Sequence, residues 1–111
     1  MITRAEEVES YFGYWPLFCD GKIKSFAYVQ PGTIALAISY VDIQKQKAAE
    51  VTLTFLGVTN IELSELRSEN VIDALRFPQE LPALVTIEAC YGLEGSFKCS
   101  AIEVSSLVPI P

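Results

Sequence analysis

The alternation of apolar and polar residues along the chain predicts a domain built mainly from β-strands. It is clearest in TIALAISYV (33–41) and VTLTFLGV (51–58), where apolar side chains recur at every second position. The apolar face of the first stretch consists of Ile34, Leu36, Ile38 and Tyr40. The polar stretch 42–50 between them predicts a loop, so the two strands form the best hairpin in the sequence.

Weaker patterns add further elements around this hairpin. KIKSFAYV (22–29) predicts a strand that leads into it through a type II turn with Pro31 and Gly32 at its centre. Residues 59–66 predict another short strand. Residues 68–77 fit both a helical turn and a poor strand, and we interpret them as a short helix or turn.

A second hairpin is predicted towards the end of the chain. Its strands cover residues 83–91 and 96–108, and the stretch GLEG (92–95) forms the turn between them. Polar and apolar residues mix in the second of these strands, which predicts a bulge or a change of face near Ser100.

Three cysteines, Cys19, Cys90 and Cys99, are expected to be free thiols, because their number is odd and no export signal precedes them. On the hairpin register above, Cys90 lies opposite Phe97 and Cys99 lies opposite Glu88. The two thiols would then be diagonal neighbours roughly 7–8 Å apart, beyond the reach of a disulfide. We therefore predict reduced, half-buried cysteines, with Cys19 as a buried structural residue.

One short helix is predicted at the N-terminus. Thr3 and Glu6 match a capping box, and Gly13 stands where the C-terminal cap belongs. The apolar face of this helix consists of Ala5, Val8 and Phe12. Together the patterns predict one α+β domain over residues 1–111, a curled sheet of five to seven mainly antiparallel strands with this helix.

The composition indicates a packed globular domain with an acidic surface. Apolar residues make up 50% of the 111 positions, and the net charge is −6. An acidic surface repels phosphate backbones, so a nucleic-acid partner is disfavoured and a basic protein partner is permitted. The apolar runs are too short to cross a membrane and the first residues form no signal core, so we expect a cytoplasmic protein.

The charges are distributed unevenly along the chain. Residues 21–47 carry a net charge of +3, from four lysines and Asp42. The densest acidic run outside the predicted helix consists of Glu62, Glu65, Glu69 and Asp73. We interpret these four as candidate partner-binding residues, against the alternative that they form an ordinary solvated edge.

The residue inventory argues against catalysis and metal binding. Histidine is absent, the cysteines lack paired C-x-x-C spacing, and no glycine-rich phosphate loop occurs. We therefore expect no catalytic residue, no metal ligand and no cofactor. Asp20 leaves one alternative open, a carboxylate-based enzyme in which it acts with a second acid.

An aromatic segment, YFGYWPLFCDGKI (11–23), holds five aromatic residues within eight positions and breaks at Asp20-Gly21. Together with VTLTFLGV, the triplet ENV (69–71) and CYGLEGSFKC (90–99), it resembles the Imm50 family of bacterial immunity proteins. The most specific matches are Tyr14, Trp15, Pro16, Phe18, Asp20, Gly92, Gly95 and Phe97. We interpret them as structural residues, because the aromatic rings would lock the helix onto the sheet and hold the acidic turn.

The resemblance implies a small cytoplasmic protein of a polymorphic toxin system. Such a protein binds a cognate protein toxin and neutralises it, here by stoichiometric occlusion, without enzyme activity. Cys19 stands where members of the family often have histidine, which removes a possible ligand or base. Two alternatives stay open: a small-molecule-binding β module that uses the sheet near Trp15 and Tyr14, and a homodimer formed through an exposed sheet edge.

Overall fold

A computed structural model describes residues 2–78 and 80–111. Within these residues the chain forms one helix and nine strands. Their bounds are β1 Ile2–Thr3, α1 Ala5–Phe12, β2 Lys22–Val29, β3 Thr33–Asp42, β4 Lys47–Leu56, β5 Thr59–Ser64, β6 Val71–Arg76, β7 Ala83–Tyr91, β8 Glu94–Cys99 and β9 Ala101–Pro109.

The strands form one open sheet in the order β1-β9-β4-β3-β2-β6-β7-β8-β5. Neighbouring strands are antiparallel, except that β1 runs parallel to β9. The predicted mainly antiparallel sheet with one short helix is therefore confirmed in outline. The described residues hold nine strands instead of five to seven, because the patterns predict neither β1 nor β6 as a strand and because the last predicted strand divides into β8 and β9.

The sheet bends over on itself where the chain passes from β4 to β5 and from β8 to β9. Strands β4 and β9 pair near one end of the strand order, whereas β5 and β8 pair at the other. At this bend the Ser100 N–H donates to the Leu56 carbonyl at 2.8 Å, and β8 ends one residue before Ser100. The bend brings the inner faces of the two halves together, so that the rings of Phe55 and Phe97 meet edge to face with their centroids 5.0 Å apart. The change of face predicted near Ser100 is thus confirmed.

The core lies between the two halves of the bent sheet. The predicted apolar face of β3 is buried, and so are the alternate residues of β4 that pair with it. The largest fully buried side chains are Phe12, Phe18, Phe55, Phe97, Ile34, Leu36, Ile38, Leu53, Ile72, Leu75, Ile87 and Ile102. Each such side chain contributes about 1.5–3 kcal/mol of transfer free energy, so alternation on both sheet halves dominates the stability.

The prediction of a helix or turn over residues 68–77 is wrong, because Val71–Arg76 form strand β6. Its pairing with β7 shifts register twice, between Val71 and Ile72 and between Ile72 and Ala74. These irregularities bury Ile72, Ala74 and Leu75 together. A bulged strand does not alternate with a period of two, and the sequence pattern therefore imitates a helical turn.

Two predicted connections around β3 also differ. The polar stretch 42–50 is not all loop, because β4 already begins at Lys47 and pairs back onto the end of β3. The turn before β3 is closed by the Gly32 N–H, which donates to the Val29 carbonyl at 3.1 Å. The turn therefore begins one residue earlier than predicted, and Gly32 lacks the positive φ of a type II turn.

Helix α1 ends as predicted but begins differently. The Gly13 N–H donates to the Glu9 carbonyl at 2.7 Å, which confirms the C-terminal cap. The predicted capping box is wrong, since Thr3 belongs to β1 and Arg4, at φ 64°, precedes the helix without a side-chain cap. The parallel pairing of β1 with β9 holds Thr3 in an extended conformation.

Two lysines of the basic stretch 21–47 stabilise the C-terminal end of α1. The ammonium group of Lys45 donates to the Phe12 carbonyl at 2.6 Å, and that of Lys47 donates to the Tyr11 carbonyl at 2.8 Å. Positive charge at a helix C-terminus offsets its partial negative charge. Half of the four lysines in this stretch therefore serve the attachment of the helix to the β3–β4 turn.

Tyr14 and Asp42 make a pH-sensitive contact beside the same turn. The Tyr14 hydroxyl donates to Asp42 Oδ2 at 2.7 Å, and the Lys45 N–H donates to Asp42 Oδ1 at 3.1 Å. These two hydrogen bonds hold the pKa of Asp42 below its usual value. A carboxylate with a lowered pKa stabilises the folded state above the pKa of the unfolded chain, about 3.9, and stops doing so as the pH falls through the folded value.

Asp42→Asn is therefore expected to lower the free energy of unfolding at pH 7 but not in strong acid. Urea unfolding of the wild type and the variant at pH 7, pH 4 and pH 2.5 measures the difference. The difference should be largest at pH 7 and should shrink below about pH 4, where the wild-type carboxylate takes up its proton. A difference that stays the same at all three pH values would show that the charge of Asp42 contributes nothing.

Candidate partner-binding site

Residues 17–21, just before β2, cover the edge of β6 that faces away from β7. The Leu75 N–H donates to the Leu17 carbonyl at 2.9 Å, and the Asp20 N–H donates to the Ile72 carbonyl at 2.8 Å. The Ile72 N–H in turn donates to the Gly21 carbonyl at 2.8 Å. Residues 17–21 thus supply the hydrogen bonds that a neighbouring strand would otherwise make, which protects this edge.

The aromatic residues Tyr14, Trp15 and Phe18 anchor this segment. Phe18 is fully buried, and its ring lies 6.0 Å from that of Trp15 and 5.5 Å from that of Tyr40. Trp15 is half-buried, and its ring centroid also lies 6.2 Å from that of Phe77. Tyr14 lies on the other side, where the Tyr40 hydroxyl donates to its oxygen at 2.8 Å. The rings thereby join the helix, β3 and the end of β6.

Asn70, within the triplet ENV, is the one buried polar residue in the described part of the chain, at 7% exposure. Its Oδ1 accepts from the Leu93 N–H at 2.8 Å and from the Arg67 N–H at 3.1 Å, while its Nδ2 donates to the Arg67 carbonyl at 2.9 Å. Analysis of the sequence did not assign it a role. An asparagine shortly before a strand often forms a turn by hydrogen-bonding its side chain to nearby backbone groups.

Both glycines of the GLEG stretch lie where a side chain has no room. Gly92 has φ 90°, and an added Cβ would stand 2.8 Å from the Glu69 carbonyl oxygen and 3.0 Å from the Asn70 Cα. Gly95, at φ 132°, lies within β8, where an added Cβ would collide with the Glu62 carbonyl of β5. The predicted four-residue turn is wrong, because only Gly92 and Leu93 separate β7 from β8.

This different turn also changes the environment of the cysteines. Val85 lies opposite Phe97 and Ala83 opposite Cys99, so Cys90 and Cys99 are not the diagonal neighbours that the predicted register made them. All three thiols are free, as expected, but none has the predicted burial: Cys99 is buried, and Cys19 and Cys90 are exposed. Cys19 is exposed because residues 17–21 run along the outside of β6.

Two of the thiols are held in the protonated form. Burial raises the pKa of Cys99. Partial desolvation of the thiol by neighbouring residues raises the pKa of Cys90, and the negative charges of Asp73 and Asp20 raise it further. Since a thiolate is the nucleophilic form, this environment disfavours nucleophilic chemistry at Cys90.

Carboxylates gather around the β7–β8 turn. Glu65 and Glu94 line a shallow cleft of about 260 Å³ together with Arg67, Cys90 and Tyr91. Asp20 and Asp73 are near enough to Cys90 for their charges to raise its pKa, and the backbone of Glu69 lies against Gly92. We call Asp20, Glu65, Glu69, Asp73 and Glu94 the acidic cluster.

The acidic cluster contains three of the four predicted partner-binding residues. Glu62 lies farther along β5, opposite Ser96 of β8. Arg67 is already paired with Glu65, with 2.7 Å between Nη2 and Oε2, and Glu69 lines a neighbouring cleft together with Lys22 and Lys24, so basic residues lie beside two of the five carboxylates. Its guanidinium also lies 5.4 Å from the ring centroid of Tyr91, which is 53% exposed. Carboxylates together with an exposed tyrosine suit contact with a positively charged protein surface.

A second concavity, an apolar groove of about 440 Å³, lies beside the helix. It is lined by Ile2, Ala5, Glu9, Trp15, Leu17, Leu75, Arg76 and Phe77. Tyr14 does not take part, because its hydroxyl is bonded to Asp42 and Tyr40. Arg76 is paired with Glu88 at 2.8 Å, which leaves Glu9 as the groove's other ionisable group.

Neither a metal centre nor a membrane span is found in residues 2–78 and 80–111. No three side chains among the cysteines, aspartates and glutamates there are arranged to hold a metal ion. The eight-residue α1 is far from the length of a bilayer-crossing helix, and none of the described residues form a longer apolar one.

Comparison with known proteins gives one match. The Imm50 family, described as immunity protein 50, matches residues 4–109, nearly the whole chain. No curated protein sequence and no solved structure matches. The match includes the aromatic segment, Asn70 and the β7–β8 turn, which the fold brings together around β6. The chain belongs to the Imm50 family of immunity proteins.

Proposed function

We propose that this protein is the immunity protein of a polymorphic toxin system and neutralises a cognate protein toxin by stoichiometric occlusion. The observation that carries the proposal is the family match over residues 4–109. The protein would act in the cytoplasm of the bacterium that produces the toxin, as a binding protein without catalytic activity or cofactor. Neither nucleic acid nor a membrane is a partner in this proposal.

The surface that we propose for the toxin is the acidic cluster, including the predicted residues Glu65, Glu69 and Asp73. Glu62 would lie at the periphery of the contact. The cleft that Glu65 and Glu94 share with Arg67 and the exposed Tyr91 supports this choice, because tyrosine and arginine are enriched among residues that dominate binding energy. A basic cleft on the toxin would be attracted at long range by the cluster and then covered by it.

The test is to express the toxin domain encoded by a neighbouring reading frame with and without this chain and to score growth. Growth arrest that this chain relieves, together with a 1:1 complex of the purified proteins, is the expected result. A toxin domain that stays toxic in its presence, or a mixture that shows no complex, would overturn the proposal. An immunity protein of another toxin system provides the specificity control.

A second candidate function is binding of a small apolar molecule in the groove beside the helix. The supporting observation is its size of about 440 Å³ with Trp15, Leu17 and Phe77 in its wall, because ligand pockets usually measure about 300–1,000 Å³. Its polar groups are few and one of them, Arg76, is already engaged. A toxicity experiment in which no neighbouring product is harmful would favour this candidate over the immunity function.

A further inference from the structure

Strand β2 has a long unpaired edge. It meets β6 only at Lys22, opposite Val71, and through the Ile23 N–H, which donates to the Asn70 carbonyl at 2.9 Å. In the part of the chain that the structure describes, no backbone hydrogen bond joins Ser25–Val29 to any strand except β3. Since successive residues point their N–H and C=O groups to opposite sides of a strand, every second residue of this stretch presents free backbone groups at the edge away from β3.

Other edges of the sheet are short, covered or irregular. Residues 17–21 cover β6, and β1 has only two residues. Beyond β1, the edge of β9 is irregular at Ser105, whose carbonyl accepts from Arg4 at 3.3 Å, and β9 ends at Pro109. Strand β5 has a register shift between Thr59 and Glu62, a left-handed Asn60 at φ 53°, and the charge of Glu62 itself. Strand β2 has a bulge between Ile23 and Ser25, but beyond it the edge carries no charge, proline or bulge. Such an edge is a template for another strand.

We propose that Ser25–Val29 pairs antiparallel with the same strand of a second copy, with Ala27 at the two-fold axis. A two-fold symmetric interface uses the same residues on both copies, so these residues must be complementary to themselves. Ser25–Val29 meet this condition. Phe26 would lie opposite Tyr28 of the second copy, and the two alanines would face each other at the centre. Farther out, Lys24 would lie opposite Gln30, so that no like charges meet.

The side chains on this edge would continue the core across the interface. Phe26 pairs with Leu36 and Tyr28 pairs with Ile34 on β3, and both β3 residues are fully buried. Phe26 and Tyr28 thus point to the core side of the sheet, yet Tyr28 is 45% exposed. Val29, on the opposite face, is 59% exposed. A second strand would cover these side chains on both faces.

The partner in this proposal is a second copy, in preference to a segment of the toxin, because antiparallel pairing about Ala27 places Phe26 opposite Tyr28 and brings no two like charges together. The edge is uncharged and is followed by no acid until Asp42. The uncharged stretch therefore adds no like-charge repulsion of its own at the two-fold axis. The proposal stands independently of the function proposed above.

The test measures the mass of the protein in solution at about 100 µM, where a dimer with a micromolar dissociation constant is formed. The wild type is expected to have twice the mass of the chain. Ala27→Lys and Ala27→Glu each place like charges opposite one another at the axis and are expected to be monomeric. An equimolar mixture of the two variants places Lys opposite Glu and should restore the dimer.

Leu84→Lys is the matched control, because Leu84 is a 48% exposed residue of β7 away from this edge. It should remain dimeric, and circular dichroism should show that every variant is folded. A monomeric wild type would overturn the proposal. Dimers of Ala27→Lys and Ala27→Glu alone, or a mixture of the two that stays monomeric, would overturn the assignment to this edge.

Discussion

Removing four charges of the acidic cluster is expected to slow association with the toxin by about 10- to 100-fold at low salt. The variant carries Glu65→Gln, Glu69→Gln, Asp73→Asn and Glu94→Gln. Oppositely charged surfaces accelerate the encounter of two proteins, and this acceleration disappears with the charges and with added salt. Stopped-flow or biosensor kinetics with the purified toxin at 20 mM and 500 mM salt measure the effect.

The control for this experiment removes the same number of charges elsewhere. Glu6, Glu7, Glu9 and Glu80 changed to glutamine also shift the net charge from −6 to −2. This variant should associate nearly as fast as the wild type. Equal slowing in both variants would show that net charge alone attracts the toxin, without a contact at the cluster. Glu62→Gln by itself should have a smaller effect, since Glu62 lies farther along β5.

Asn70→Ala is expected to lower the free energy of unfolding by about 2–4 kcal/mol. The change removes the acceptor for the Leu93 and Arg67 N–H groups and the donor for the Arg67 carbonyl. A buried donor left without an acceptor costs about 1–3 kcal/mol. Urea denaturation measures the loss, and hydrogen exchange should show earlier opening of residues 65–70 and of the β7–β8 turn.

Ser68→Ala gives the comparison for this substitution, because Ser68 is an exposed residue of the same loop. It should change the stability by less than about 0.5 kcal/mol. A similar small effect of Asn70→Ala would mean that water replaces the lost hydrogen bonds and that Asn70 does not hold the two loops together. The toxin kinetics of Asn70→Ala then report whether the position of the acidic cluster depends on this residue.

Sequence patterns identified the strands whose faces differ in solvent exposure. Residues 33–38 pair with residues 51–56 and residues 39–41 pair with residues 48–50 without a register shift, so every second side chain faces the core and the alternation is undisturbed. In β6, by contrast, register shifts bury neighbouring residues and hide the period. The predicted register of the second hairpin was wrong because Gly95 does not form part of the turn. It lies within β8, where the lack of a side chain lets the backbone of β5 come close.

The candidate site was predicted only in parts. An acidic run in the sequence pointed to Glu65, Glu69 and Asp73, but Asp20 and Glu94 join them through pairings between distant segments. Asn70 contacts Leu93, a residue 23 positions away. Local patterns contain no information about such contacts, since they record exposure and turn preference along the chain.

By itself the sequence determined that this protein is an acidic, mainly antiparallel β domain with one short helix and without histidine chemistry, because these properties follow from local alternation and from composition. Only the tertiary structure decided that Asp20-Gly21, Asn70 and Gly92 meet around β6, that Lys45 and Lys47 hold the helix, and that Ser25–Val29 have no partner strand on the side away from β3. The physical reason is that strand order and sheet bending arise from hydrogen bonds and packing between residues far apart in the chain.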